Sequence, residues 1–551
     1  MWKVKSRCAD SDKYTKYLLI ILLVSLVYAA YHIWVSGYHV MDMDYAALML
    51  WPKLIFERGL FSTGFRGSTE NPLTALGFIP QIIVHVLGFS WLAAIKIAAM
   101  FNTALFILLF FLLMRRLGLS LNAALISCIF LINTYFSHYS IFYELNIYHS
   151  NLYAIILIVL ILALDVYQAK ESKKKKILFM AASFVAGAVS MRAFFLILAP
   201  LFVMEFIKMA LRFRGQNELP VHFLRTIKQE NRGFYLAFIA CVLGGIGSVG
   251  AALIGRFMGL FGGYPMDVQS FEEILKTLPQ TLSQGATLLG FPRESLTISS
   301  INDLLVLTET LLRVAVFSIF LIVFIHIWRV RKDSILTNKL KWIVCFFSIS
   351  ISMNFLLIMV VFAAGARSRH QFITWYLVAV LAAAVMDKAV VATKIYRVFS
   401  GVIMAMLCII SFYNNSVVVT NHYRQADPPP RMEAAQYLLD SGYDVVLGRN
   451  AQDSYVMGGY TDLELQTAAF STDFAPHLWL VDTHIFHENK GKYAIIFSDE
   501  AREKELLETF LESSQAKIQL IMSEARFDRK FGPLNIYSLD YNPTLDVRVQ
   551  P

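Results

Sequence analysis

The stretch Tyr38-His-Val-Met-Asp42-Met-Asp44-Tyr45 comes directly after an apolar run that begins at Tyr17. A run of this kind is close to the ~20 residues that a helix needs to cross hydrocarbon. We therefore expect a pair of acidic residues at the edge of a membrane. The apolar residues that follow recur at helical spacing, which predicts an amphipathic element on the membrane surface. Pro52 is expected to open a second short helix there and Gly59 to close it.

The composition supports a membrane protein. Of the 551 residues, 57% are hydrophobic and only 16% are charged, whereas a soluble chain carries about 25% charged residues. This excludes a water-soluble fold, and no nucleic-acid partner is needed to explain the net charge of +9. About eleven spans are predicted. They lie near 17–35, 91–114, 119–136, 148–168, 177–190, 193–211, 234–254, 304–328, 341–363, 371–387 and 398–413.

The run from Pro72 to Phe89 is also apolar, but we do not count it as a span. Counting it would place Arg115, Arg116 and the lysines at 173–176 outside the cell, against the positive-inside rule. Its prolines favour a broken juxtamembrane or re-entrant element instead. With that choice the strongly basic loops fall on one side. The sequence thus predicts an integral plasma (inner) membrane protein with a cytoplasmic N-terminus and a periplasmic or extracellular C-terminus.

The last part of the chain changes composition. Residues 414–551 open with a stiff linker at Pro428, Pro429 and Pro430. Helical patterns follow at Arg431 to Ser441 and Glu500 to Glu512. Strand-like runs lie at Tyr443 to Leu447, Leu478 to Val481, Tyr493 to Phe497, Ile518 to Met522 and Leu534 to Leu539. Together they predict a small α/β domain outside the cytoplasm. We therefore expect an α-helical polytopic domain at 1–413 that carries the chemistry and an accessory α/β domain at 414–551.

Short motifs in the first half of the chain occur in a characteristic order. After the acidic pair and the amphipathic segment come Glu70-Asn71-Pro72-Leu73, then Gly88, then a predicted span that ends in Arg115-Arg116-Leu117-Gly118. This order resembles the GT-C superfamily of membrane glycosyltransferases, in particular the protein O-mannosyltransferases and the bacterial aminoarabinose transferases. The similarity covers the membrane region. Asn71 is a departure, because several relatives have a lysine directly before that proline.

The resemblance implies an enzyme that takes a sugar from a polyprenyl-phosphate-linked donor. The acceptor would be a glycolipid, polysaccharide or protein of the cell envelope at the extracytoplasmic face, and transfer would usually invert the sugar. The first-loop acid is the family's candidate base, which implies that role for Asp44, with Asp42 as alternative or helper. Glu144 fits the position of a second acid in the next external loop. Asp44 is also a favoured helix N-cap residue, and Glu144 is also an ordinary interfacial charge.

A polyprenyl-phosphate donor needs cations where negative charge develops on the leaving phosphate. Arg367-Ser-Arg369-His370 resembles the Arg-containing motif that opens a late span in the family. Arg192 is expected at the tip of a tight external hairpin within a long apolar stretch, and Lys96 is expected near the outer end of the second span. The alternative for each is a snorkelling side chain with no ligand, and Lys96 fits this alternative best.

The sequence leaves three questions about function open. Asp42 and Asp44 could together hold a divalent cation such as Mg²⁺ or Mn²⁺, so dependence on a metal is undecided. A transporter or flippase of a lipid-linked sugar would share many of these features, although we find no internal repeat of the kind that transporters show. A polysaccharide polymerase or ligase is the third possibility, but the late external turn 364–370 is short for one.

Overall fold

The computed structural model describes residues 2–39, 43–59, 65–66, 78–135, 150–168, 172–213, 232–257, 270, 272–276, 278–279, 301–329, 335–361, 373–424, 429–448, 451–470, 481–487, 491–498 and 523–543. Most of them are helical. The helices before the C-terminal region are α1 (Trp2–His39), α2 (Met43–Arg58), α3 (Ile79–Val86), α4 (Trp91–Leu117), α5 (Leu121–Tyr135), α6 (Ser150–Gln168), α7 (Lys173–Val189), α8 (Ala199–Phe213), α9 (Arg232–Phe257), α10 (Ile301–Arg329), α11 (Ile335–Val361), α12 (Ile373–Met386) and α13 (Lys394–Arg424).

Many of these helices are apolar enough for a membrane. Seven in the described ranges could cross one by length and composition: Tyr14–Val35, Trp91–Leu117, Met191–Leu211, Arg232–Phe257, Asp303–Arg329, Leu336–Ile358 and Lys394–Asn414. Three shorter apolar helices are Leu121–Asn133, Leu152–Tyr167 and Ile373–Met386. Together with α7, which begins with four lysines, these helices coincide with the eleven predicted spans. The predicted helical polytopic fold is confirmed.

The segment after α1 contains two helices. α3 has only eight residues, with Pro80 in its first turn, so it is far too short to span a membrane, as predicted. In contrast, α2 runs without interruption through Pro52, and the expectation of a second helix opening there is wrong. A proline removes one helical hydrogen bond. Packing compensates for that loss, because Trp51 and Leu54 beside it are buried. Most of the described side chains of α2 are buried within the protein in the same way, and its position at the membrane surface stays a prediction.

One compact unit comprises Met1–Tyr31, Asn102–Ala251 and Met266–Val418. Its centre is α12, which packs against α5, α10 and α11 and buries nearly all of its side chains. The hydroxyl of Ser127 on α5 donates to the carbonyl oxygen of Ala379 at 2.6 Å. Helices α7 and α9 come close through glycines, since a Cβ on Gly187 would lie 1.9 Å from the carbonyl oxygen of Gly244. Small residues at such contacts are typical of membrane helices.

Basic residues meet at one end of this unit. Asp165 near the end of α6 pairs with Lys175 at 3.0 Å and with Arg116 at 3.3 Å. The ammonium group of Lys339 donates to the carbonyl oxygen of Arg116 at 2.9 Å. Three of the basic segments used for the topology prediction therefore lie together. Which side of the membrane they face stays a prediction.

The other unit comprises His32–Phe101, Ala252–Pro265 and Val419–Pro551. Its strands are β1 (Phe65–Arg66), β2 (Val445–Gly448), β3 (Gln466–Ala469), β4 (Val481–Asp482), β5 (Tyr493–Ser498), β6 (Arg526–Phe531) and β7 (Leu534–Leu539). Five of them form a sheet in the order β3-β2-β5-β7-β6, with β2 parallel to β3 and β5 and the remaining pairs antiparallel. Helices α14 (Pro430–Asp440) and α15 (Ala451–Tyr460) share a buried core with this sheet, which includes Leu438, Met457 and Ile496.

The predicted small α/β region is thus confirmed. Strands β3 and β6 and helix α15 were not predicted. The helix predicted at Glu500 to Glu512 and the strand predicted at Ile518 to Met522 lie outside the described residues. The proposed boundary between residues 413 and 414 stays a prediction.

Candidate active site

The predicted acidic base lies at the start of a well-anchored helix. Asp44 is in the first turn of α2, where the partial positive charge of the helix N-terminus favours a carboxylate. Asp42 lies just before the helix, outside the described residues. The other end of α2 closes as predicted: the N–H of Gly59 donates to the carbonyl oxygen of Ile55 at 2.9 Å, and Gly59 has φ +91°. This left-handed conformation is one that glycine adopts without cost.

Helix α2 is held by the C-terminal region of the same unit. It packs against α15, with Tyr45 and Met49 buried in α2. The ammonium group of Lys53 donates to the carbonyl oxygen of Leu463 at 2.8 Å. Arg58 binds Asp482 with both terminal nitrogens, at 3.0 and 2.7 Å, the bidentate geometry that makes such pairs strong.

A short strand pair reinforces this attachment. Strand β1 (Phe65–Arg66) pairs antiparallel with β4 (Val481–Asp482). Asp482 is therefore tied both to a strand downstream of α2 and to Arg58 at the end of α2. The helix that carries Asp44 is thus fixed at several points along its length.

A second carboxylate of the C-terminal region caps α4. Asp462 accepts hydrogen bonds from the backbone N–H groups of Trp91 at 3.1 Å and Leu92 at 2.7 Å, which would otherwise lack partners at a helix start. Asp462 and Leu463 have φ values of +52° and +66°. This conformation is tolerated by Asp more readily than by a branched residue such as Leu. The cap therefore rests on a locally strained turn.

Lys96 is one turn further along α4 and is almost fully buried, with 1% of its surface exposed. Its ammonium group donates to the carbonyl oxygen of Trp34 at 3.1 Å and lies 5.3 Å from the centroid of the Trp34 ring. Lys96 does not reach outward to solvent, so the snorkelling alternative does not describe it. It instead joins α4 to the last part of α1, shortly before the acidic pair.

Arg192 belongs to the first compact unit. It lies in a helical turn, Met191–Ala193, that opens after Ser190, whose hydroxyl accepts from the Arg192 N–H at 3.2 Å. The following residues, Phe194–Leu198, form a π-helical segment before α8. Single π turns in α-helices are frequent at functional sites. One residue, Ser190, separates α7 from this turn. The external hairpin and the phosphate-binding role of Arg192 stay predictions.

The sequence reasoning missed a buried ion pair in α10. Glu309 and Arg313 are 7% and 6% exposed, and one carboxylate oxygen accepts from the arginine Nε at 3.1 Å and Nη2 at 2.5 Å. Ser411 donates to the same oxygen at 2.9 Å, and Asn414 donates to the other oxygen. The guanidinium lies 6.0 Å from the ring of Trp375. The available signal was two opposite charges four residues apart inside an apolar run.

This cluster connects three helices of the first unit, because Ser411 and Asn414 belong to α13 and Trp375 to α12. Trp375 lies in the first turn of α12, directly after the predicted Arg-containing motif. The pair therefore fixes the start of the helix that this motif precedes. A buried ion pair with four donors on one carboxylate is fully satisfied and fits a positioning role.

Several predicted site residues lie outside the described part of the chain: Asp42, Glu144, Arg367, Arg369 and His370. Of the others, the structure places Asp44 and Lys96 in one compact unit and Arg192 in the other. Among the residues that it does describe, no group of three or more His, Cys, Asp or Glu side chains could hold a metal ion. Metal dependence therefore stays open.

Comparison with known proteins gives similarity of structure only. No protein-family model and no curated protein sequence matches this chain. A crystal structure of ArnT from Cupriavidus metallidurans bound to undecaprenyl phosphate is similar, with a TM-score of 0.52 and 12% identity over 98% of this chain and 99% of that chain. The oligosaccharyltransferase from Archaeoglobus fulgidus, in complex with Zn and sulfate, has 13% identity over 86% of this chain and 67% of that chain. Its TM-score of 0.43 is too low to establish a common fold. Over nearly its whole length, this chain has the fold of ArnT, and the GT-C-type fold predicted from its motifs is confirmed.

Proposed function

We propose that this protein is a membrane glycosyltransferase that takes a sugar from a polyprenyl-phosphate-linked donor. The observation that carries the proposal is the fold, which matches ArnT across 98% of the chain, and that protein was crystallised with undecaprenyl phosphate. Fold alone does not determine chemistry. The second support is the acidic pair at the start of α2, which the motif order had already assigned to the active centre.

In the proposed reaction a carboxylate of the pair, Asp44 or Asp42, takes the proton of an acceptor hydroxyl. The acceptor oxygen then forms a bond to the anomeric carbon of the sugar while the bond from that carbon to the phosphate oxygen breaks. The electron pair of the broken bond leaves on the polyprenyl phosphate. Attack from the face opposite the leaving group inverts the anomeric centre. General base catalysis of this kind contributes about 10²–10⁴-fold to the rate.

The leaving phosphate gains negative charge, which nearby cations stabilise. Arg369, Arg367 and His370 are the proposed donor-phosphate ligands, with Arg192 as a further candidate. For Lys96 we propose a positioning role instead of phosphate binding, because its ammonium group donates to the carbonyl oxygen of Trp34. Its proposed part is to hold the end of α1 against α4, so that the acidic pair leaves the membrane at a fixed place. Glu144 is proposed as the second acid.

The acceptor is proposed to be a component of the cell envelope on the extracytoplasmic side. The C-terminal region is proposed to support acceptor use, since it holds α2 through Asp482 and caps α4 through Asp462. A divalent cation held by the acidic pair remains part of the proposal to be tested. Transfer in the presence and absence of a chelator decides that point.

The deciding experiment reconstitutes the purified protein in vesicles with a polyprenyl-phosphate sugar labelled in the sugar. A transferase produces labelled acceptor and releases one polyprenyl phosphate for each sugar transferred. A transporter or flippase moves the labelled lipid across the bilayer and makes no covalent product. Movement of the donor without any labelled acceptor, over a panel of donors and envelope extracts, would overturn the proposed function.

A further inference from the structure

A groove of 880 Å³ opens in the first compact unit, where α10 ends, α11 and α13 begin, and the turn after α12 passes between them. Its volume lies near the upper end of the ~300–1,000 Å³ that ligand sites commonly have. α12 begins directly after the predicted Arg-containing motif and ends at Met386, beside the groove. The groove is therefore at the opposite end of that helix from the proposed donor-phosphate site.

The walls of the groove are mainly apolar and open outward. Ile322, Ile395 and Phe399 line it and expose 55%, 78% and 58% of their surfaces. These side chains lie on helices long enough to cross a membrane. In a bilayer they contact lipid tails, which are as apolar as they are, so their exposure carries no free-energy cost there. The polar lining includes His326 and Tyr396. The groove thus combines an apolar trough with a polar part.

The turn that forms one wall is basic. Lys388 and Lys394 flank the lining residues 389–393 and are exposed. Arg397 lies over the same turn, because its guanidinium donates to the carbonyl oxygens of Val391 and of Ala392, the latter at 2.9 Å. Three cations therefore border one wall of an apolar groove.

The acidic residue of this turn is already engaged in backbone hydrogen bonds. Asp387 is 4% exposed and accepts from the N–H of Ser120 at 2.6 Å and of Ala389 at 2.8 Å. Its carboxylate is turned into the protein and bound there. The outward side of the wall keeps an excess of positive charge.

We propose that this groove is a binding site for an anionic phospholipid of the leaflet at the basic end of the helices. The acyl chains lie along Ile322, Ile395 and Phe399, and the phosphate group lies against Lys388, Lys394 and His326. Basic pockets between membrane helices are suited to anionic headgroups. The inference is independent of the proposed transferase activity, since it involves none of the residues assigned to that reaction.

The test measures the thermal unfolding midpoint of the purified full-length protein in detergent during titration with phosphatidylglycerol, and separately with phosphatidylcholine of the same chains. We expect the anionic lipid to raise the midpoint at lower concentration than the zwitterionic one. Each of Lys388→Gln and Lys394→Gln should raise the half-saturating concentration of the anionic lipid about fivefold. This factor corresponds to the ~1 kcal/mol that one cation contributes to binding at an anionic membrane surface.

Three further variants serve as controls and as a block of the groove. Lys173→Gln and Lys174→Gln neutralise exposed lysines at the start of α7 and should leave the titration unchanged. Ala392→Trp fills the groove without removing a cation and should abolish the stabilisation by lipid. If Ala392→Trp lowers the unfolding midpoint even without lipid, the proposal is judged from Lys388→Gln and Lys394→Gln alone. Equal stabilisation by both lipids, or equal weakening by the α7 controls, would overturn the proposal.

Discussion

The buried pair Glu309–Arg313 allows a sharp prediction about stability. In Arg313→Met the carboxylate of Glu309 keeps Ser411 and Asn414 as donors but loses its charged partner. Removing one member of a buried ion pair costs ~3–5 kcal/mol, because the remaining charge stays buried. Replacing both members, in Glu309→Met/Arg313→Met, removes the uncompensated charge. It leaves two neutral donors without their acceptor. The hydroxyl of Ser411 is buried and costs ~1–3 kcal/mol, and the amide of Asn414 costs less because Asn414 is only half-buried.

The assay is equilibrium or thermal unfolding in a fixed detergent, with the wild type, both single variants and the double variant compared as a cycle. The double variant should be more stable than Arg313→Met by about 1–2 kcal/mol, from the central values of the two costs above. A double variant less stable than Arg313→Met would show that the unpaired charge of Glu309 is not what destabilises the single variant. Sugar-transfer activity of the same variants is the second measurement. If Glu309 and Arg313 only position α12, activity should recover together with stability.

Three further predictions concern the second unit. Lys96→Met should lower transfer more than Lys96→Arg, because Arg can still donate to the Trp34 carbonyl; equal losses, measured as initial rates, would contradict this. Asp462→Ala should destabilise the protein by ~1–2 kcal/mol through the lost cap, and Asp462→Asn by less, as measured by unfolding. Burial and the hydrogen bond to Asp528 raise the pKa of Tyr443 above its usual 10. The stability gained from the raised pKa is therefore present below pH 10 and is lost as the pH rises through the folded-state pKa. Tyr443→Phe should remove that loss, so unchanged alkaline unfolding in this variant would count against it.

The spans were predictable because each depends on a local property, a run of about 20 apolar residues, together with the sign of its flanking loops. The end of α2 was predictable for the same reason, since Gly59 supplies the left-handed conformation that closes a helix. Pro52 misled the prediction because tertiary packing outweighed a local preference. Burial of Trp51 and Leu54 keeps α2 continuous through the proline.

The anchors of the candidate site could not be read from the sequence. Asp462 caps α4 from 371 residues away, and Asp482 binds Arg58 across 424 residues. No local pattern marks either carboxylate, because their partners are determined by how the C-terminal region folds onto α2 and α4. Glu309 and Arg313 were readable in principle, being four residues apart in one helix. They lie inside an apolar span, whereas the predicted site residues all lie in external loops or at the outer ends of spans.

A carboxylate of the Asp42–Asp44 pair is proposed to remove the acceptor proton. This role is tested by a single-turnover measurement of sugar transfer, with donor binding measured in parallel, for wild type, Asp44→Asn and Asp42→Asn. Asp440→Asn, which changes an exposed acid at the end of α14, serves as the matched control. We predict that at least one of the first two variants transfers ~10²–10⁴-fold more slowly with unchanged donor binding, while the control transfers normally. Transfer at the wild-type rate in both Asp44→Asn and Asp42→Asn would show that neither carboxylate is the base.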